Sequence, residues 1–347
     1  MHNKGKYNIG YEIVKEIVAA DSRIGPSHLG VLRDSHRGYG GHCFPKDTKS
    51  FIDFSKGIGL PLKLLEKVDE INGQLVNPPP KILVSVIITT FNRPKYLKES
   101  VQSVLSQDFN ELELIVVDDD SPGTETEGVI NSFNDNRIKY VKNNKNLGGA
   151  ISLNVGLNNS KGKYIAILDD DDLWIAKEKL FLQVKFLEEN ADYVAVGTNS
   201  VVVNYDTGKE IIRSKAPYDD QTIRQNFLLL NPIAHSSILA RREAMLKNGG
   251  YNQALTRGKD YDMLLKLGTM GKLAVLPNYF VKHRERTLQQ KNILILKAKD
   301  AKFTTKIIWR HRKNYPHASL ALLINIYRYA LFTLLRPFYK IIRKIKN

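Results

Sequence analysis

The chain has 347 residues, enough for one large domain or two modest ones. Its 42% hydrophobic content fills a real core, and 25% charged residues exclude wholesale disorder. A formal charge of +16 calls for an anionic partner; nucleic acid, an anionic membrane surface or a phosphorylated substrate each satisfy it. The single cysteine, Cys43, excludes an internal disulfide framework and suits a reducing, cytoplasmic setting. MHNKGKYNIG at the start has no apolar run of signal-peptide length, so export by that route is not expected.

Residues 1 to 76 read as helix, glycine-rich loop, helix. Tyr11 to Ala20 is a short helical pattern that Gly38-Tyr39-Gly40-Gly41 cannot continue, and Asp47 is suited to cap the next helix. A further helical run covers Leu62 to Ile71. Residues 77 to 82, with Pro78-Pro79-Pro80, form a stiff extended linker and the clearest domain boundary.

From residue 83 to about 290 the periodicity predicts an α/β domain. LVSVIITT is a β-branched run typical of a strand buried on both faces. A helix over Pro94 to Ser106 follows, and ELELIVVDDD is a second buried strand ending in acids. A helix, a strand at IKYV, a helix over Ala150 to Leu157 and a strand at YIAIL continue the alternation. That alternation implies a Rossmann-like, mostly parallel sheet with helices on both faces. In such sheets ligands bind beyond the carboxyl ends of the strands, where both acidic clusters fall.

Asp169-Asp170-Asp171-Asp172 follows YIAIL directly. Four adjacent carboxylates repel one another, and a hard divalent ion with bound diphosphate would neutralise them. The competing structural reading is a solvated loop capping a helix at Leu173-Trp174. Asp118-Asp119-Asp120-Ser121 has two readings as well: a turn, or a carboxylate that takes hydrogen bonds from a base or ribose.

VSVIITTFNRPKYLKESVQSVLSQ, ELIVVDDDS, NLGGAISLNVGL and GKYIAILDDDDLW, in that order, resemble a family 2 glycosyltransferase of GT-A fold. HSSILARREAMLKNGGYNQALTRGKDYDMLLKLG resembles the acceptor half of such enzymes. The resemblance implies an inverting, metal-dependent transferase moving sugar from a nucleotide-sugar, most simply a UDP-sugar, to a glycan or lipid-linked acceptor in polysaccharide synthesis. It implies Thr89, Phe91 and Asp119 around the base, with Asp169 and Asp170 also on the nucleotide-sugar. Asp169 and Asp171 would form the D-x-D element for Mn²⁺ or Mg²⁺, Asp171 being the direct ligand. Asp260 would be the general base, deprotonating the acceptor hydroxyl; its structural alternative is a helix N-cap. Relatives carry an acid before that position, and this chain carries Lys259. His283 matches a late histidine that would meet diphosphate or metal, or simply lie on the surface. Asn146, Gly148 and Asn154 either shape the loop before the metal strand or, the reading preferred for all three, serve plain turn and helix chemistry.

EIVAADSRIGPSHL, GYGGHCFPKDTKSFIDF and LLEKVDEINGQL resemble part of the UDP-glucose/GDP-mannose dehydrogenases over residues 6 to 75. There the resemblance makes Cys43 a nucleophile, beside Lys46 and Asp47. No G-x-G-x-x-G follows a strand before this loop, so NAD binding is not expected and Cys43 is read as silent. Dehydrogenation through Cys43 stands as the alternative activity, with a dimerising module or a remnant as the other roles.

The tail, 291 to 347, places Leu320, Leu323, Ile324, Tyr327, Leu331, Leu334 and Leu335 at helical spacing, ahead of Arg336, Lys340, Arg343, Lys344 and Lys346. A helix lying in a membrane interface and a helix packed on the transferase core are equally compatible readings. No nucleic-acid partner is expected, because basic and aromatic residues are not interleaved on a recognisable module.

Overall fold

The computed structural model describes residues 32–33, 36–37, 43–76, 82–216, 218–285 and 293–346. The chain divides into two compact units, Met1–Lys81 and Ile82–Asn347.

In the first unit, β1 (Leu32–Arg33) pairs antiparallel with β2 (His36–Arg37), and helices α1 (Cys43–Gly57) and α2 (Lys63–Val76) follow. The helix starts at Cys43, so Asp47 lies inside it rather than at its cap. Pro45 permits this early start, because a proline in the first turn removes an N–H that has no intrahelical partner. Ile52 is buried between the helices, while Phe51, Phe54 and Leu64 stand exposed. The Tyr11–Ala20 pattern, the Gly38–Gly41 loop and the Cys43 side chain lie outside the described residues.

The second unit is built on a nine-stranded sheet. Its first half comprises β3 (Val84–Thr90), α3 (Pro94–Leu105), β4 (Leu112–Asp118), α4 (Glu125–Asn131), β5 (Ile138–Lys142), α5 (Gly149–Asn159) and β6 (Tyr164–Asp169). These four strands lie parallel in the order β5-β4-β3-β6. The chain therefore steps outward from β3 and then crosses back to β3's other side. This reversal opens a crevice at the carboxyl ends of β3 and β6.

The second half comprises β7 (Leu173–Trp174), α6 (Lys179–Glu189), β8 (Tyr193–Asn204), β9 (Glu210–Arg213), α7 (Asp220–Asn226), a 3₁₀ turn (His235–Ser237), β10 (Leu239–Arg241), α8 (Arg242–Lys247), α9 (Lys259–Gly268) and β11 (Lys272–Glu285). β10 joins β6 antiparallel and β8 on its other side, and β11 runs parallel to β8. Helices α10 (Ile293–His311) and α11 (Ala318–Lys346) close the chain.

Side-chain alternation along the central strands feeds two cores. Val84, Val86 and Ile88 of β3 pack with Leu97, Val101 and Val104 of α3, whereas Ile87 faces Leu153 and Leu157 of α5. Both faces are covered, as the continuous apolar runs require. Leu97, Val101 and Val104 recur at helical spacing with no exposure, and each fully buried side chain of this kind stabilises by about 1.5–3 kcal/mol. Gly156 lets α5 lie on Ile87, since a Cβ there would fall 2.4 Å from an Ile87 methyl.

Leu173-Trp174 is a strand, paired with β11, so the acidic run caps no helix there. The Trp174 indole donates to the Ser236 carbonyl at 2.8 Å, and β11 supplies the backbone partners, which fixes an extended conformation. Below Trp174 the fully buried Lys179 amine sits 3.9 Å from the ring centroid and donates to Gln183.

The tail packs along one edge only. Ala321 and Asn325 of α11 are buried, whereas Leu320, Leu323, Ile326, Tyr327, Leu334 and Leu335 are exposed. Helix α10 is anchored to α9 through the fully buried Asp262, whose carboxylate takes His311 Nε2 at 3.0 Å and Arg310 at 3.1 Å. Burial works against that charge, but His311, Lys266 and Arg310 outweigh it and hold the carboxyl below its ordinary value.

Candidate active site

The crevice at the strand reversal is a cleft of about 410 Å³. Thr89, Thr90 and Phe91 enter it from the end of β3, Asp119 from the end of β4, and Asp169, Asp170 and Asp171 from the end of β6. Gly149 and Ser152 of α5, Arg93 and Lys259 complete the wall. Thr89, Phe91, Asp119, Asp169, Asp170 and Asp171 are thus gathered in one cavity from three segments distant in the chain.

Asp119 is almost buried. Its Oδ1 accepts from Leu147 N–H at 2.8 Å and Asn143 Nδ2 at 2.9 Å, and its Oδ2 from Gly148 N–H at 2.8 Å. Burial raises the carboxyl, but these donors prevail and hold it below its ordinary value. Ser152, beside it on the cleft wall, lowers the carboxyl in the same way. Asp118 turns inward to Tyr140 and the Ser121 N–H, while Asp120 takes the left-handed conformation, φ 68°. The turn is therefore made by Asp118, Asp120 and Ser121, while Asp119 lines the cleft.

The four acids at the end of β6 are held by different groups, Asp170 and Asp171 sharing one. Asp169 meets His235 Nδ1 at 3.1 Å, and His235 Nε2 meets the Tyr251 hydroxyl at 3.0 Å. A carboxylate only accepts, so Nδ1 donates to Asp169, and in the neutral ring Nε2 accepts from Tyr251. Burial opposes the charge on Asp169, but His235, with Lys259 and His283, holds its carboxyl well below the usual range. Asp170 accepts from Thr90 Oγ1 at 2.7 Å and Arg93 at 2.8 Å. Asp171 shares the same guanidinium at 2.9 Å. Burial, only partly offset by Arg93, pushes Asp171 up to about 6, with the neighbouring acids adding to the rise. Asp172 turns away from the cleft: it accepts from Ser236 Oγ, from Arg284 N–H at 3.0 Å and from His283 Nδ1 at 3.0 Å.

Among the described residues, no group of three or more His, Cys, Asp or Glu side chains is arranged to hold a metal. The donor set nevertheless fits a magnesium-like ion, which is held by one or two carboxylates and completed by substrate phosphates and water. Asp169 and Asp171 both line the cleft, so their carboxylates open onto the space such an ion and its phosphates would occupy.

Asp260 does not line this cleft. It lies in the first turn of α9, one residue past the helix start, with Gly258 in the cap position. It lines a neighbouring cavity of about 310 Å³ with Leu228, Asn231, Arg257, Tyr261, Phe303 and Arg328. Lys259 and Asp260, consecutive in sequence, thus open onto two different cavities.

Four residues of this network went unread in the sequence: Arg93, His235, Ser236 and Tyr251. No local signal singles them out. Asn154 lies within α5, and beyond plain helix chemistry its amide clamps the Tyr251 backbone, accepting from N–H at 2.8 Å and donating to C=O at 2.8 Å. Gly148 does shape its loop, at φ 88°. His283 contacts Asp172 and is absent from the cleft wall.

Residues 85–249 match the model of glycosyl transferase family 2, and residues 4–74 match the central domain of the UDP-glucose/GDP-mannose dehydrogenase family. A glycosyltransferase of Methanocaldococcus jannaschii is 30% identical over 268 residues, covering 74% of this chain and 88% of that protein. The Escherichia coli UDP-Glc:alpha-D-GlcNAc-diphosphoundecaprenol beta-1,3-glucosyltransferase WfgD is 35% identical, over 40% of this chain and 54% of its own. Among solved structures, the mannosyltransferase PcManGT from Pyrobaculum calidifontis, in complex with GDP-Man and Mn²⁺, superposes with a TM-score of 0.55 at 17% identity. That match covers 84% of this chain and 85% of the other, and supports a GT-A fold. By sequence relationship, the chain belongs to glycosyltransferase family 2.

Proposed function

We propose that this glycosyltransferase is inverting and divalent-metal-dependent, and moves sugar from a UDP-sugar to a lipid-linked acceptor in surface-glycan synthesis. The observation that carries the reading is the single cleft that joins Thr89, Phe91 and Asp119 to Asp169, Asp170 and Asp171. Thr89, Phe91 and Asp119 take the nucleoside end, where the Asp119 carboxylate accepts from base or ribose. Asp171 and Asp169 would hold Mn²⁺ or Mg²⁺, whose chemistry there is Lewis-acid stabilisation of the departing diphosphate. Asp170, pinned by Thr90 and Arg93, keeps the turn in shape.

Asp260, in the adjoining cavity, takes the proton of the acceptor hydroxyl as its oxygen attacks the anomeric carbon. The bond from that carbon to the phosphate oxygen breaks on the opposite face, its electron pair leaves with the nucleoside diphosphate, and configuration inverts. Support for the donor and acceptor classes comes from a relative named for UDP-glucose and a diphosphoundecaprenol-linked sugar, and for the metal from a similar fold holding Mn²⁺. An acceptor of that kind resides in a membrane. The exposed apolar face of α11, followed by five basic residues, suits a helix lying on an anionic cytoplasmic leaflet.

The test is nucleotide release across UDP-, GDP- and dTDP-sugars, with Mn²⁺, Mg²⁺ or chelator, on wild type and Asp171→Ala. Metal-dependent release from one donor class, lost in the variant, is the expected result. Release indifferent to chelator and to the substitution would overturn the metal assignment.

A further inference from the structure

We propose that Lys259 binds the distal phosphate of the nucleotide donor, as a protein cation acting beside the metal. The inference rests on the donor reading of the cleft and assigns a residue that the acidic clusters leave unaccounted for.

The cleft wall carries four carboxylates, Asp119, Asp169, Asp170 and Asp171, and two cations, Arg93 and Lys259. A diphosphate entering such a wall needs positive charge that is not already committed. Arg93 is committed, through ion pairs to Asp170 and Asp171 at 2.8 and 2.9 Å. Among the described residues Lys259 forms no ion pair, although its charge acts on Asp169.

The position of Lys259 is also unfavourable for the helix that bears it. It is the first residue of α9, where the helix dipole presents its positive end and a cation is destabilising. Asp260 and Asp262 in the same turn follow the usual preference for acids, and Lys259 breaks it. One glycine makes room for it. A Cβ on Gly149 would lie 3.2 Å from Lys259 Cε, so the absent side chain leaves the lysine stem its path along the start of α5.

Its place in the cleft selects the phosphate. Thr89, Phe91 and Asp119 occupy the nucleoside end, and Asp169 the diphosphate end. Lys259 lines this cleft, while the next residue, Asp260, faces the adjoining cavity. On the donor reading, the ammonium at that border faces the phosphate that carries the sugar. There it would stabilise the charge that develops on that phosphate as the glycosyl bond breaks, with no bond made or broken at the lysine itself.

The experiment is calorimetric titration of full-length wild type, Lys259→Met and Lys259→Arg with UDP, GDP and dTDP. The diphosphate that binds is then compared with its monophosphate, with Mn²⁺ and with chelator. The expected result is that Lys259→Met weakens the diphosphate by about tenfold or more, as loss of a charge-assisted contact should. The monophosphate should change less than about twofold, Lys259→Arg should retain most of the affinity, and the loss should persist in chelator. An equal loss for both nucleotides, or none for either, would overturn the assignment and leave the donor reading standing. Wild type that binds no nucleoside diphosphate would overturn the donor reading itself, and this inference with it.

Discussion

His283 Nδ1 lies 3.0 Å from the buried Asp172 carboxylate, and this contact ties the last long strand of the sheet to the acidic turn of the first half. The hydrogen bond to Asp172 pushes His283 up to about 9, against the opposing effect of burial. The folded pKa lies above the unfolded value of 6.5, so the contact contributes fully below pH 6.5 and is lost as pH rises through about 9. In metal-free protein, the His283 ring resonances should titrate near pH 9 by NMR, and Asp172→Asn should bring the midpoint back toward 6.5. A midpoint near 6.5 in wild type would refute the contact's electrostatic role. The exposed edge of the ring keeps the stability effect small.

The amide of Asn154 joins α5 to the Tyr251 backbone with two hydrogen bonds, and the Tyr251 hydroxyl in turn meets His235 beside Asp169. Asn154→Ala removes both bonds and strands a part-buried donor and acceptor, so urea unfolding should show a loss of about 1–3 kcal/mol. The same substitution should lower the transfer rate, because His235 loses its fixed partner. Unchanged stability together with unchanged rate would show that the clamp is incidental.

Leu323 and Leu334 stand on the open face of α11, and their side chains contribute nothing to the folded core. A double Leu323→Glu, Leu334→Glu variant should fold with unchanged thermal stability. In co-sedimentation it should lose binding to phosphatidylglycerol vesicles, and wild-type binding should weaken with salt, since each Lys or Arg near an anionic leaflet is worth on the order of 1 kcal/mol. Vesicle binding that survives the two charges would place the membrane contact elsewhere.

The first half of the sheet was legible because its determinants are local. Buried parallel strands write themselves as β-branched runs, and Val84–Thr90, Leu112–Asp118, Ile138–Lys142 and Tyr164–Asp169 all fall where such runs stand. The acids were legible for the same reason, since they close two of those runs. The second half resisted reading. β10 has three residues and β7 two, too few to show a period, and each is defined by its neighbour: β10 by β6 and β8, β7 by β11. Asp47 misled because it has the chemistry of a cap, while the helix had already begun four residues earlier.

By itself, then, the sequence determined the α/β pattern, the family resemblance and the acids at the strand ends, all properties of residues close in the chain. Tertiary structure alone decided that Asp169 leans on His235, that Asp172 turns away toward His283, and that Lys259 and Asp260 look into separate cavities. Those outcomes depend on which way a carboxylate turns and on what lies across the sheet. Hydrogen bonds between residues 66 and 111 positions apart set them, and no local pattern encodes such pairings.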